Sequence, residues 1–202
     1  MSRGRTRTFD LDQTLDRAVD VFWRRGYDAT SIAELTEAMG INPPSLYAAF
    51  GNKRALFDRV VDRYVQDTAS NLQAAVAQPT GRAAALSMLT SVVESATSED
   101  HPAGCLLVQG ALACSADNAD VHDELVRRRE EVRQAMQLRF EQALDDGDFP
   151  SGVDPAGLAR YYVTVATGLT VQAASGVPRR ELLEAVDLAM AAFPDVSAGA
   201  AR

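Results

Sequence analysis

Thr30, Ser31, Ser45, Tyr47 and Lys53 place four hydroxyls and one ammonium within a short stretch, and Lys53 is the only lysine of the chain. Hydroxyl donors and a cation suit phosphate oxygens, and small neighbours such as Pro43, Pro44 and Ala48 let a helix approach a base edge closely. Other chemistries find little support. No Gly-x-Ser-x-Gly elbow, no Gly-x-x-x-x-Gly-Lys-Ser/Thr phosphate loop and no Cys-x-x-Cys pair occurs. Asp145-Asp146 ends a helical pattern beside Gly147, where solvent is expected. The two histidines, His101 and His122, leave little for a metal site. His101 is expected in a solvated loop, and His122 at the start of a long helix. An enzyme is therefore not expected, nor a cofactor.

The elements that must hold these residues all have helical periodicity, with no strand run of period two. Leu11, Leu15, Val19 and Phe22 mark a first helix between Asp10 and Gly26. Ser31 and Glu34 have the spacing of a capping box, with Thr30 as the competing cap, and Gly40 closes the second helix at Met39. Pro43 and Pro44 open a short helix that ends at Phe50, since proline is tolerated in a first turn. Asn52 caps a long helix reaching Val76. Five more are expected at 82–98, 104–116, 120–146, 154–175 and 178–193. The fold class is thus all-α with about nine helices. The breaks suggest an N-terminal unit over residues 1–64 and a C-terminal helical unit over 65–202.

Residues 30–50 then read as a helix, a turn containing Gly40 and a second helix, which is helix-turn-helix spacing. Ala33, Leu35, Ile41, Leu46 and Phe50 are expected to pack inward. Pro43, Pro44, Ser45, Tyr47, Ala48 and Ala49 are expected to face outward, on a helix thin enough for a major groove about 12 Å wide. Thr30 and Ser31 lie at a helix N-terminus that favours phosphate, and Lys53 follows the groove helix.

The pattern Phe22-x-x-x-Gly26-Tyr27-x-x-Thr30-Ser31-Ile32-x-x-Leu35, then Gly40-Ile41-x-x-x-Ser45-Leu46-Tyr47-x-x-Phe50-x-x-Lys53-x-x-Leu56, resembles the N-terminal domain of TetR-family transcriptional regulators. The resemblance covers about residues 9–64. It implies a dimeric, cytoplasmic, all-helical protein that binds a palindromic double-stranded DNA operator, usually as a repressor, and is released by a small-molecule effector. It places Thr30, Ser31, Pro44, Ser45, Tyr47 and Lys53 at DNA-contact positions. Where the family often carries histidine before the final phenylalanine, this chain has Ala49.

The net charge of −8 suits a nucleic-acid binder poorly as an average, but it is unevenly distributed. Residues 1–64 hold ten basic and nine acidic side chains, and the remainder ten and nineteen. A polyanion should meet the N-terminal third. Arg3, Arg5 and Arg7 form either an arm for the minor groove or DNA backbone, or a solvated tail. Arg127-Arg128-Arg129, flanked by acids, reads as a charged helix surface with i, i+3 and i+4 pairs. No run of about 18 apolar residues predicts a membrane span, and the N-terminus does not read as a secretory signal.

By the resemblance, the last two helices pair with their copies in a homodimer. The expected interface is Leu158, Tyr162, Val165 and Leu169 with Leu182, Val186, Met190 and Phe193, part of each face also serving the internal core. An effector site is expected among the middle helices, lined by Met88, Val92, Cys105, Leu106, Phe140, Tyr161 and Thr164, for an apolar or aromatic molecule. Two alternatives stay open. Cys105 at a helix start suggests a thiol sensor of oxidants or electrophiles, with Cys114 on the opposite face of the same helix. A helical adaptor without DNA binding is the other.

Overall fold

A computed structural model describes residues 10–150 and 152–194. The arginine arm and the tail beyond Pro194 lie outside the described residues. Among the described residues there are nine α-helices and no strand: α1 Leu11–Arg25, α2 Ile32–Met39, α3 Pro43–Phe50, α4 Lys53–Val76, α5 Gly81–Ala96, α6 Leu106–Leu112, α7 Ala119–Asp145, α8 Pro155–Ala174 and α9 Arg179–Ala191.

The first four helices start where side-chain caps begin them. The Asp10 carboxylate accepts from the N–H of Asp12 at 2.9 Å. Ser31 and Glu34 form the full capping box, with the Ser31 hydroxyl accepting from Glu34 N–H and the Glu34 carboxylate from Ser31 N–H. Asn42 and Asn52 cap α3 and α4 through their side-chain oxygens, at 2.9 and 2.8 Å. Such a cap contributes about 1 kcal/mol. Gly40 ends α2 with φ +67°, the left-handed corner that lets α3 turn away.

Two apolar clusters organise the chain. The first gathers Phe22, Trp23, Leu35, Leu46, Phe50, Leu56 and Phe57 from α1–α4, together with Leu106, Ala111, Val121 and Leu125 from α6 and α7. Phe57 packs edge-on against Phe22 and Tyr27, with ring centroids 5.0 and 5.1 Å apart. The N-terminal unit therefore shares its core with later helices, and α4 runs unbroken through residue 64. The second cluster joins α5 and α7–α9 around Phe140, Phe149, Tyr162 and Phe193. Here Tyr162 donates to the Ala189 carbonyl at 3.1 Å, and burial pushes its hydroxyl pKa up to about 12. Gly81 belongs to this packing, because a Cβ there would meet the Phe149 ring at 2.6 Å.

One expected helix is shorter in the structure. In place of a single helix over 104–116, α6 is seven residues long, and a 3-10 turn at Ala116–Asn118 precedes α7. The cause is polar and tertiary. The Asp28 carboxylate accepts from Ser115 N–H and from the Asn118 side-chain amide, which draws that stretch into a turn. Cys105 and Cys114 therefore flank α6 instead of sitting on opposite faces of it.

Candidate nucleic-acid interface

α3 divides cleanly into two sides. Ser45, Leu46 and Phe50 are buried and Ala49 half-buried, while Pro43, Pro44, Tyr47 and Ala48 are exposed. Each set follows the i, i+1, i+4, i+5 spacing of one helix side. Tyr47 is 49% exposed, a large ring left outside a short helix. Ser45 is thus a correction to the outward reading: its helical position puts it beside Leu46 and Phe50, whatever its hydroxyl. Ala49 is corrected likewise, as it packs against the N-terminal cluster. In α2, Ala33 is exposed, and Thr36 and Met39 take the inward places.

The two hydroxyls before α2 separate in role. Ser31 is exposed at the cap. Thr30 is 2% exposed, and its hydroxyl donates to the Gly26 carbonyl at 2.7 Å. Its side chain locks the α1–α2 corner and presents no hydroxyl to solvent. Lys53, in the first turn of α4, holds its ammonium 4.3 Å from the Tyr27 ring centroid. Burial lowers its pKa, and Asp28 and Glu34 partly offset that. Tyr27 as a shelf for Lys53 was not read from the sequence, nor was Arg59, whose guanidinium lies 5.5 Å from the Phe50 ring centroid at the end of α3. Their only sequence signal was an aromatic and a cation beside the helix-turn-helix. The N-terminus of α2, the small side of α3 and the start of α4 thus each present exposed or half-buried groups.

Behind this surface, α6 ties the N-terminal helices to the rest. Trp23 of α1 donates from its indole nitrogen to Gln109 of α6 at 3.0 Å and packs edge-on against Tyr64. His101, expected in solvent, instead stacks on Trp23 with ring centroids 4.7 Å apart. Arg54 of α4 pairs with Asp120 at the start of α7.

A cavity of about 330 Å³ lies between α4, α5, α6, α7 and α8. Met88, Val92 and Cys105 line it, as the sequence reading expected. Leu106, Phe140, Tyr161 and Thr164 do not. Leu106 points into the N-terminal cluster, and Phe140 is sealed in the aromatic one. Tyr161 and Thr164 sit on the outer side of α8, whereas Val163, Ala166, Thr167 and Thr170 face the cavity. On its wall the Tyr64 hydroxyl donates to Cys105 Sγ at 3.2 Å, and burial holds that phenol well above its ordinary pKa. Both cysteines are free thiols. Burial raises the Cys114 pKa, with Asp28 adding to it.

The expected dimer face is also corrected. Tyr162, Leu169, Leu182, Val186, Met190 and Phe193 form the subunit's own core. Leu158 and Val165 are half-buried against it. The large apolar residues left outside on α8 and α9 are Tyr161 and Leu188, at 46% and 76% exposure. Gly168, Ala185 and Ala191 are exposed on the same two helices. No group of acidic, cysteine or histidine side chains among the described residues could hold a metal ion. No described helix is long and apolar enough to cross a membrane.

Comparison with known proteins agrees with this geometry. Residues 15–60 match the model of the bacterial regulatory proteins of the tetR family, and residues 81–180 match a tetracyclin repressor-like C-terminal domain. The transcriptional repressor ComR of Escherichia coli K12 is 32% identical over 197 residues, 96% of this chain and 94% of its own. BdcR of the same strain, also a transcriptional repressor, is 38% identical over 109 residues, 53% of this chain and 55% of its own. Among solved structures, a cysteine-substituted form of the regulator CifR bound to a 26-base-pair operator is 41% identical. It has a TM-score of 0.90 and covers 94% of this chain and all of the other.

Proposed function

The chain belongs to the TetR family of bacterial regulatory proteins, DNA-binding regulators of transcription rather than enzymes, and on that premise we propose a homodimeric cytoplasmic repressor of a palindromic operator. The reading unit is residues 1–64, and residues 65–202 bind an effector and dimerise. The observation that carries this is the exposed row Pro43, Pro44, Tyr47 and Ala48 on α3, set between the cap of α2 and Lys53. Pro43, Pro44 and Ala48 let the helix backbone lie close to base edges. Tyr47, Lys53 and the free N–H groups behind Ser31 hold the phosphates on either side. Ser45 and Thr30 fix the geometry of the pair from inside.

Dimerisation uses the outer strip of α8 and α9, with Tyr161, Gly168, Ala185 and Leu188 at its centre. A two-fold axis there sets two copies of α3 about 34–36 Å apart, one turn of duplex. Release works through α6. Leu107, Val108 and Cys105 touch the cavity, and Gln109 on the same helix holds Trp23 of α1. A molecule filling the cavity moves α6, and α1 follows with the groove helix.

The test is retention of DNA flanking the chain's own gene at two salt concentrations, beside Tyr47→Ala. The expected result is specific retention that falls steeply with salt and is lost in the variant. Equal retention of unrelated DNA, or an unaffected variant, contradicts the reading.

A further inference from the structure

We propose that the cavity binds an amphipathic anion, a carboxylate on an apolar body, and that Arg129 is the residue that selects the charge. This rests on the reading of the cavity as the effector site. The three consecutive arginines of α7 are not equivalent. Arg127 pairs with Glu124 and Glu131. Arg128, although it lines the cavity, pairs with Glu124 and with Asp62 of α4. Arg129 lines the cavity and makes no ion pair or hydrogen bond among the described residues. Its Nε is buried without an acceptor.

Buried donors are normally matched, and of the three unmatched ones among the described residues, on Arg63, Arg129 and Arg139, only that of Arg129 belongs to a residue of the cavity wall. The acidic neighbour on the cavity wall, Glu131, is already engaged by Arg127, so the local charge left for a ligand is positive. A guanidinium presents its N–H groups in a planar fork that fits a carboxylate's two oxygens.

The remaining walls define the other end of the ligand. Leu72, Met88, Val92, Leu107, Val132 and Val163 are apolar. The lining residues of α4 run from Tyr64 to Gln73, a rise of about 13 Å at ~1.5 Å per residue. Of the two arginines on the wall, Arg128 is already paired with Glu124 and Asp62, so among the described residues one cationic side chain is left for a ligand's charge. The class is therefore a singly anionic molecule with an aliphatic or aromatic body of that length.

Calorimetric titration of the full chain with octanoate, 4-phenylbutanoate and octanol tests this. At least one of the carboxylates is expected to bind tenfold or more tightly than octanol. Arg129→Gln is expected to remove that preference, and Arg129→Lys to keep part of it. Octanol binding as well as both carboxylates overturns the proposal, and so does Arg129→Gln that retains the preference. Binding by none of the three overturns it too. The wild-type comparison needs no variant, so a misfolded Arg129→Gln does not shield the idea. Operator retention by the unliganded chain is measured separately. Its loss counts against DNA binding, and its persistence without carboxylate binding counts against the anion alone.

Discussion

At Lys53 the ammonium is held 4.3 Å from the Tyr27 ring centroid, so its direction is fixed before any partner arrives. A phosphate contact made by such a group needs little ordering on binding. Lys53→Gln should weaken binding to operator and to random duplex by similar factors. It should also lower the slope of log affinity against log salt by about one. Titration by fluorescence anisotropy at several salt concentrations reads both quantities, and an unchanged slope removes Lys53 from the phosphate contacts. The outward placing of Pro43, Pro44, Tyr47 and Ala48 was legible in the sequence, because helical spacing sets them apart from Leu46 and Phe50. Ser45 and Thr30 were misplaced because a hydroxyl says nothing about which way a helix turns it. Ser45 follows the phase of Leu46 and Phe50, and Thr30 is buried by the corner it closes.

Among the elements, α3 is stable only through what it packs on. An eight-residue helix is marginal alone, and Leu46 is its fully buried anchor. Leu46→Ala should cost about 2–5 kcal/mol, measured by urea denaturation. A loss under ~1 kcal/mol would mean that α3 is not held as described. Caps and glycines made α1 to α4 legible almost residue by residue. The stretch 104–118 was not, because its turn is set by Asp28, nearly ninety residues earlier in the chain. No local pattern reports such a contact. Burial works to raise the Asp28 pKa, but the hydrogen bonds from Ser115 and Asn118 outweigh it, and the net shift is downward. A depressed carboxyl stabilises the folded state fully above its unfolded value of about 3.9, and that contribution is lost as pH falls through the folded value. Melting temperature against pH should therefore fall more steeply below about pH 4 for the natural chain than for Asp28→Asn. Parallel acid limbs would show that the α6–α7 turn is not held by this charge.

For the whole molecule, periodicity gave the helices of the C-terminal half apart from the stretch 104–118, but the wrong side of several. In α8 and α9 both sides are apolar enough to pass for an interface. The aromatic cluster of Phe140, Phe149, Tyr162 and Phe193 claims one side for the subunit core. The proposed face for a second copy is the exposed strip around Tyr161 and Leu188. Leu188→Glu should shift the protein from dimer to monomer in sedimentation equilibrium and leave its helical content intact. A variant that stays dimeric moves the interface elsewhere. The cavity was equally hard to read, since its apolar wall is made of the same residue types as the core beside it. The central proposal concerns the reading surface: two copies of α3, each showing Pro43, Pro44, Tyr47 and Ala48, set one duplex turn apart. Hydroxyl-radical and base-methylation footprinting of the full chain on its operator tests that most directly. The account predicts two protected major-groove patches on one face of the duplex, about 10 base pairs apart from centre to centre. A single patch, or protection confined to the minor groove, would contradict it.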